Sequence, residues 1–203
     1  MAEIAIFGGT FDPPTKAHQA IIEACLDRPD IDEVWIMPSR VREDKPGMSS
    51  EAVRLVMLEH LAAYEYPHQP RLIVSDFELN LPAPTQTAVT AKALDRTFPE
   101  HAFWFVFGTD SYAALPSWEG GAALQRTLGV LLVGRNQQAL PPPHDRLKHL
   151  TVDDRWHDVS STSVRRQLRD GCRLESVALA PSVKTFIARH GLYAAYNETH
   201  AIG

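Results

Sequence analysis

The 203-residue sequence is poor in cysteine and has no surplus of positive charge. Its two cysteines, Cys25 and Cys172, lie far apart and outside any CxxC spacing, so neither a disulfide framework nor a zinc site is predicted. Lys and Arg number 20 against 25 Asp and Glu, a formal net charge of −5. A non-specific nucleic-acid binder would show a basic surplus or stripe, so no nucleic-acid partner is expected.

Long apolar runs are also missing. No run approaches the ~18 residues that a membrane span needs, and residues 1–7 lack a basic segment followed by a long apolar one. We therefore expect a cytoplasmic protein with reduced thiols and no membrane partner. Neither GxGxxG nor GxxxxGK[ST] occurs at the first apolar run, which argues against the two commonest phosphate loops there.

Short apolar runs alternate with helix-like segments along the chain. Runs of this kind, apolar on both faces, are typical of buried parallel strands, and the alternation predicts an α/β, doubly wound and mostly parallel sheet with helices on both faces. One domain is expected over residues 1–196, with a frayed tail at 197–203 and a Pro-rich connection at 140–145. The predicted strands are 3–7, 33–38, 71–75, 102–108 and 128–133, and the predicted helices are 18–28, 49–64, 87–98 and 160–171.

The second of these helices has a clear start signal and an apolar periodicity. Ser49 or Ser50 is expected to cap it. Its apolar positions at helical spacing are Val53, Val56, Met57 and Leu61, which we expect to face the core.

The turn after the first strand has the features of an anion site. Gly8 and Gly9 let a ligand approach the backbone closely, and the helix that follows presents unpaired N–H groups to an anion. His18 near the helix start could donate a hydrogen bond to a phosphate, and the Thr15 hydroxyl could assist. The alternative is a tight glycine turn followed by an ordinary surface histidine.

A second cluster, SSTSVR, opens the predicted helix at residues 160–171. Hydroxyls, backbone N–H groups and the guanidinium of Arg165 would converge there on one point, which favours a second phosphate site. An ordinary N-cap followed by a solvated arginine is the alternative. Two such sites in one chain suit a triphosphate.

These motifs resemble those of a known family. GGTFDPPTKAH is similar to the GGTFDP…(H/T)xGH signature of the nucleotidyltransferase superfamily, and VSSTSVRRQLRDG resembles its ISSTxIR segment. The stretches MPSRVREDKP, SDFEL, PTQTAVTAKAL, FGTDSYAALPSW and APSVKTFIARHGLY resemble segments of bacterial nicotinate-nucleotide adenylyltransferases. The resemblance covers residues 3–193 in the order of the family.

The resemblance implies a Rossmann-like fold and transfer of the adenylyl group of ATP to the phosphate of nicotinate mononucleotide, with Mg²⁺ and no protein metal ligand predicted. It makes His18, Thr15 and Arg165 the catalytic residues, with His18 on the α-phosphate. The residues implied for ATP are Gly8, Gly9, Thr10, Phe11, Gly108, Asp110, Ser160, Ser161, Thr162 and Arg165, and those implied for the acceptor are Lys45, Thr87 and Trp118.

Three departures from the family pattern keep two other functions open. Thr15 replaces the usual first histidine, Ala17 replaces the usual glycine, and REDK (42–45) stands where PPHK is usual. The last change favours an adenylyltransferase with another acceptor, such as nicotinamide mononucleotide. The first two favour a nucleotide-binding regulatory protein without turnover. A homo-oligomer is left open by the sequence.

Overall fold

The computed structural model describes residues 1–40, 48–82, 85–134 and 140–193. These residues form one six-stranded sheet with the order β3-β2-β1-β4-β5-β6, and every neighbouring pair is parallel. The strands are β1 (Glu3–Gly9), β2 (Glu33–Pro38), β3 (Leu72–Val74), β4 (Ala102–Gly108), β5 (Gly129–Val133) and β6 (Leu147–Leu150). The order reverses between β1 and β4, which is where an open parallel sheet binds its ligands.

Helices cover both faces of the sheet, as the alternation predicts. They are α1 (Lys16–Leu26), α2 (Glu51–Glu65), α3 (Thr87–Thr97), α4 (Thr109–Ala114), α5 (Gly121–Thr127), α6 (Ser161–Arg169) and α7 (Pro181–His190). One core cluster unites the sheet with apolar residues of α1, α2, α6 and α7, and the other unites it with apolar residues of α3, α5 and the turn after α4. Among the described residues, no helix combines the length and apolarity that a membrane crossing requires.

The local signals predicted most of these elements well. Strands β2 and β4 have the predicted bounds, Ser50 caps α2 through a hydrogen bond from the Val53 N–H, and α6 begins after Ser160. Strand β6 and helices α4, α5 and α7 were not predicted. The LKHL sequence of β6 carries too little apolar pattern to be recognised alone, and it forms because β5 offers a paired edge.

The expected apolar face of α2 is wrong at one position. Val56 is 47% exposed, whereas Arg54 is fully buried with Met57, Leu58 and Leu61. The guanidinium of Arg54 reaches the loop after β1, and these hydrogen bonds compensate for burying a cation that a periodicity argument places in solvent.

Candidate active site

A cleft of about 720 Å³ opens at the carboxyl ends of β1 and β4. Glycines from both strands line it, and β5 and the segment after β2 extend it to either side. A Cβ atom at Gly8 would meet no atom within 4 Å, so the missing side chain leaves room for a ligand against the β1 backbone. A Cβ atom at Gly9 would come within 3.1 Å of the Phe11 ring, so a larger residue there would crowd that ring.

His18 lines this cleft from the first turn of α1. Its Nδ1 accepts a 2.8 Å hydrogen bond from the backbone N–H of Thr15. A backbone N–H can only donate, so in the neutral ring the hydrogen lies on Nε2. The helix start therefore fixes both the orientation of the ring and the nitrogen that can donate to a substrate.

Thr15 lies directly against His18 at the start of α1. The residue is buried, and its hydroxyl lies 2.9 Å from Nδ1 of His18 in a reciprocal capping arrangement that also satisfies the His18 N–H. Thr15 is not among the residues that line the cleft. Its contacts support a role in positioning His18, and the direct phosphate contact predicted from the sequence stays a prediction.

Phe11 lies beneath His18 and likewise stays out of the cleft. Its ring is 1% exposed and meets the rings of Phe7 and His18 edge-on at centroid distances of 5.3 and 5.0 Å. The backbone of Phe11 has a φ of +52°, which is uncommon for a residue with a side chain. Its side chain packs against the histidine and supports it, and its contact with ATP stays a prediction.

Three carbonyl groups of the loop between β1 and α1 are held by side chains from distant elements. Arg54 of α2 donates to the Thr10 oxygen at 2.8 Å. At the start of α6, Arg165 donates to the Asp12 oxygen at 2.5 Å and Ser161 to the Pro13 oxygen at 2.8 Å. The loop is thereby held between two helices that are far apart in sequence.

The carboxylate of Asp12 is the buried centre of this arrangement. It accepts hydrogen bonds from the Ser49 N–H at 3.2 Å and from the Tyr193 hydroxyl. Burial raises the pKa of Tyr193 well above its usual range, and it lowers the pKa of Arg54, an effect that the charge of Asp12 partly offsets. Tyr193, which follows the end of α7, thus contacts the loop before α1, a link that no local sequence signal indicates.

The second predicted phosphate site is assembled at the start of α6, outside the lining of the cleft. The Ser160 hydroxyl accepts from the Ser163 N–H at 3.1 Å, and the Thr162 hydroxyl accepts from Arg165 at 3.4 Å. Ser161 and Arg165 hold the loop carbonyls described above. The structure brings these four residues together next to the first loop, and their binding of phosphates stays a prediction.

The opposite wall of the cleft carries most of the residues expected around ATP ribose and acceptor. Gly108, Thr87 and Trp118 line it, and the Trp118 ring is 37% exposed and edge-on to Phe107 at 6.2 Å. Asp110 lies exposed in the first turn of α4 and does not line the cleft. Lys45 lies outside the described residues.

Three charged residues of the cleft were missed from the sequence, one of which is Glu119. Glu78 and Arg40 both line it, and Glu78 accepts a 3.2 Å hydrogen bond from the Thr90 hydroxyl. Burial raises the pKa of Glu78 above its usual value, partly offset by that bond and by a bond from the Arg40 backbone. Both residues stand inside motifs already quoted, SDFEL and MPSRVREDKP, but only the fold shows that they face a common space.

The donor set does not fit a metal cage made by the protein. The described residues contain no group of three or more His, Cys, Asp or Glu side chains able to hold an ion. Mg²⁺ is usually bound through substrate phosphates, one or two carboxylates and water. The cleft therefore fits an ion held mainly by a nucleotide's phosphates.

Comparison with known proteins agrees with this geometry. The cytidylyltransferase-like family model matches residues 6–167. A protein of Shewanella pealeana named "Probable nicotinate-nucleotide adenylyltransferase" is 31% identical over 94% of this chain and 95% of its own length. A protein of the same name from Exiguobacterium sibiricum is 30% identical over 95% of this chain and 99% of its own length.

The fold is also similar to that of a solved enzyme. Plasmodium falciparum nicotinic acid mononucleotide adenylyltransferase, complexed with NaAD, superimposes with a TM-score of 0.80 at 21% identity, covering 95% of this chain and 98% of that one. The chain accordingly belongs to the cytidylyltransferase-like family and, within it, to the nicotinate-nucleotide adenylyltransferases, which are nucleotidyltransferase enzymes.

Proposed function

We propose that this protein transfers the adenylyl group of ATP to the phosphate of nicotinate mononucleotide, giving the deamido dinucleotide and pyrophosphate. The observation that carries the proposal is the placement of His18 in the cleft at the strand-order reversal, with Nδ1 accepting from the Thr15 N–H so that Nε2 carries the hydrogen of the neutral ring. The names of the two relatives, which describe this activity, support the proposal.

The transfer needs no protein nucleophile, because the acceptor phosphate attacks the α-phosphorus of ATP directly. The bond between the α-phosphorus and the bridging oxygen breaks, and pyrophosphate leaves with its electron pair. Such a reaction depends chiefly on positioning and on stabilising the charge that develops on the phosphoryl oxygens. His18 would donate from Nε2 to an α-phosphate oxygen, and the open space at Gly8 would admit the two phosphates to the β1 end.

The start of α6 would hold the leaving group. Ser160, Thr162 and Arg165 surround a helix N-terminus, which favours an anion through its N–H groups and its dipole. Mg²⁺, when bound with the nucleotide, would neutralise part of the charge on its phosphates. Ring stacking on Trp118 and contacts to Thr87 are proposed for the acceptor's pyridine, since both residues line the same wall.

Pyrophosphate release from MgATP tests the function. Nicotinate mononucleotide, nicotinamide mononucleotide, 4′-phosphopantetheine and no acceptor are assayed in separate reactions. We expect selective release with nicotinate mononucleotide, abolished or strongly reduced in the His18→Ala variant. Preference for another acceptor would replace the substrate in the proposal. No pyrophosphate release with any acceptor, in a folded protein that binds ATP, would favour the regulatory function.

A further inference from the structure

The acceptor side of the cleft has to receive a phosphate dianion out of water. Such a group needs cationic or N–H donors in the protein to replace its hydration. The charged and titratable side chains among the described lining residues are His18, Arg40, Glu78 and Glu119. His18 donates as a neutral ring, and two of the others are carboxylates, so Arg40 is the permanent cation of this described lining.

The backbone of Arg40 lies next to the turn that contains Gly8 and Gly9. Strand β2 pairs in parallel with β1, with Pro38 opposite Gly9, and the Ser39 N–H donates to the Gly9 oxygen at 2.8 Å. Neighbouring strands lie about 4.8 Å apart. The Arg40 backbone therefore follows the strand immediately beside the β1 end, where the reacting phosphates are expected.

The guanidinium of Arg40 is partly anchored and partly unsatisfied. One terminal nitrogen, Nη2, donates to the Leu79 carbonyl at 3.0 Å, which holds the side chain against the turn Phe77–Asn80. Its Nε is buried and has no hydrogen-bond partner in the described structure. A buried N–H without a partner is costly, and a phosphate oxygen in the cleft would supply the acceptor it lacks.

Glu78 fixes the segment that carries Arg40. Its carboxylate accepts from the Thr90 hydroxyl and from the Arg40 backbone N–H, and so ties the segment after β2 to α3. A phosphate at the β1 end can meet the arginine fork in two parallel hydrogen bonds while lying toward Gly8.

We propose that Arg40 is a substrate-binding residue whose guanidinium holds the phosphate of the acceptor mononucleotide beside Gly8 and Gly9. The inference rests on the proposed function and deepens it by assigning the acceptor's phosphate to a residue outside the REDK segment (42–45). It accounts for recognition of a phosphomonoester acceptor in a chain that lacks the usual PPHK.

The test compares Arg40→Gln and Arg40→Lys with the wild type and with Arg126→Gln, which removes an exposed arginine of α5 outside the cleft. We expect Arg40→Gln to raise KM about tenfold or more for nicotinate and nicotinamide mononucleotides alike, as loss of charge-assisted bonds predicts. The KM for ATP should change less than about twofold, and Arg40→Lys should be intermediate because it keeps the charge but not the fork.

Three kinetic outcomes would overturn the assignment in variants whose thermal melts match the wild type. An unchanged acceptor KM in Arg40→Gln would show that Arg40 does not contact the acceptor phosphate. A KM that rises only for the nicotinate acceptor places Arg40 on the pyridine carboxylate, and a KM that rises only for ATP places it on the donor nucleotide.

Calorimetric binding of nicotinate mononucleotide without ATP separates this inference from the proposed function. Turnover by the wild type that is unaffected in Arg40→Gln refutes the inference alone. Binding that depends on Arg40 without any turnover upholds the inference and refutes the adenylyl transfer. Absence of both binding and turnover in the wild type refutes both.

Discussion

Nη1 of Arg165 donates a 2.5 Å hydrogen bond to the carbonyl oxygen of Asp12, 153 positions earlier in the chain. The same nitrogen lies 4.0 Å from the buried Asp12 carboxylate. The arginine expected to hold the leaving phosphates therefore also holds the loop that precedes α1. The two predicted phosphate sites are therefore joined, because residues of α6 hold the loop between β1 and α1.

Replacing Arg165 should for this reason affect both binding and turnover. We expect Arg165→Ala to raise the KM for ATP and to lower kcat, because the change removes a cation and releases the Asp12 carbonyl. The loss of a charged hydrogen bond predicts an effect of about tenfold or more on kcat/KM. The matched control is Arg166→Ala, which removes the exposed neighbouring arginine of α6. An unchanged KM for ATP in steady-state kinetics would count against the binding of the leaving phosphates by Arg165.

His18 should matter for the chemical step more than for binding. We expect His18→Ala to lower kcat by ~10²-fold or more while the Kd for ATP changes little, because a donor to developing charge acts chiefly in the transition state. Single-turnover rates and ATP titrations separate the two effects. The exposed His144 provides the control, as His144→Ala leaves the cleft intact.

The Thr15→Ala variant, measured in the same way, separates the positioning of His18 from the hydrogen bond that His18 donates. The variant loses the hydroxyl at 2.9 Å but keeps the backbone N–H that fixes the His18 tautomer. Its kcat should fall by less than that of His18→Ala. A loss of kcat as large as that of His18→Ala would favour a direct contact between Thr15 and the substrate.

Acid stability should depend on an ion cluster that joins the end of α1 to β6. Asp30 accepts hydrogen bonds from Arg28 at 2.8 and 2.7 Å and from Lys148 at 2.7 Å. The Arg28 hydrogen bonds, followed by those from Lys148, lower the pKa of Asp30 to about 2 from an ordinary 3.8. A lowered carboxyl pKa means stability that is present above about pH 4 and is lost as the pH falls toward 2.

Asp30→Asn should accordingly lower the free energy of unfolding at pH 7, and the difference from the wild type should shrink in acid. The Asp30 side chain is 38% exposed, so solvent screening limits the expected loss to roughly 1 kcal/mol or less. Urea unfolding at pH 7 and near pH 3 measures the difference. Asp145→Asn, in an exposed loop position, is the control, and equal losses at both pH values would contradict the mechanism.

The two thiols should react at very different rates. Cys25 is fully buried in the core beneath α1, and burial raises its pKa to about 12, so little thiolate forms at neutral or mildly alkaline pH. Cys172 is exposed. A chromogenic disulfide reagent at pH 8 should modify one thiol rapidly in the native protein and two in guanidinium chloride, and the Cys172→Ser variant should lose the rapid phase. Two rapid thiols in the native protein would contradict this core packing.

Much of the fold was predictable because its signals are local. Ala102–Gly108 is apolar on both faces and can only be a covered strand, and Ser160 starts a helix through its own hydroxyl. The short strand Leu147–Leu150 escaped prediction because it is defined by its pairing with β5. The burial of Arg54 escaped it because the compensating carbonyl of Thr10 is 44 positions away.

The sequence by itself determined strands β1 to β5, helices α1, α2, α3 and α6, the glycine turn, and the placement of His18 near the start of α1, since each depends on residues close to one another in the chain. Only the tertiary structure decided that Thr15 and Phe11 support the histidine, that Tyr193 meets Asp12, and that Arg40 enters the cleft. A buried polar group must find its hydrogen-bond partner wherever the fold places one. Such partnerships follow from strand order and helix packing, and a linear pattern does not contain them.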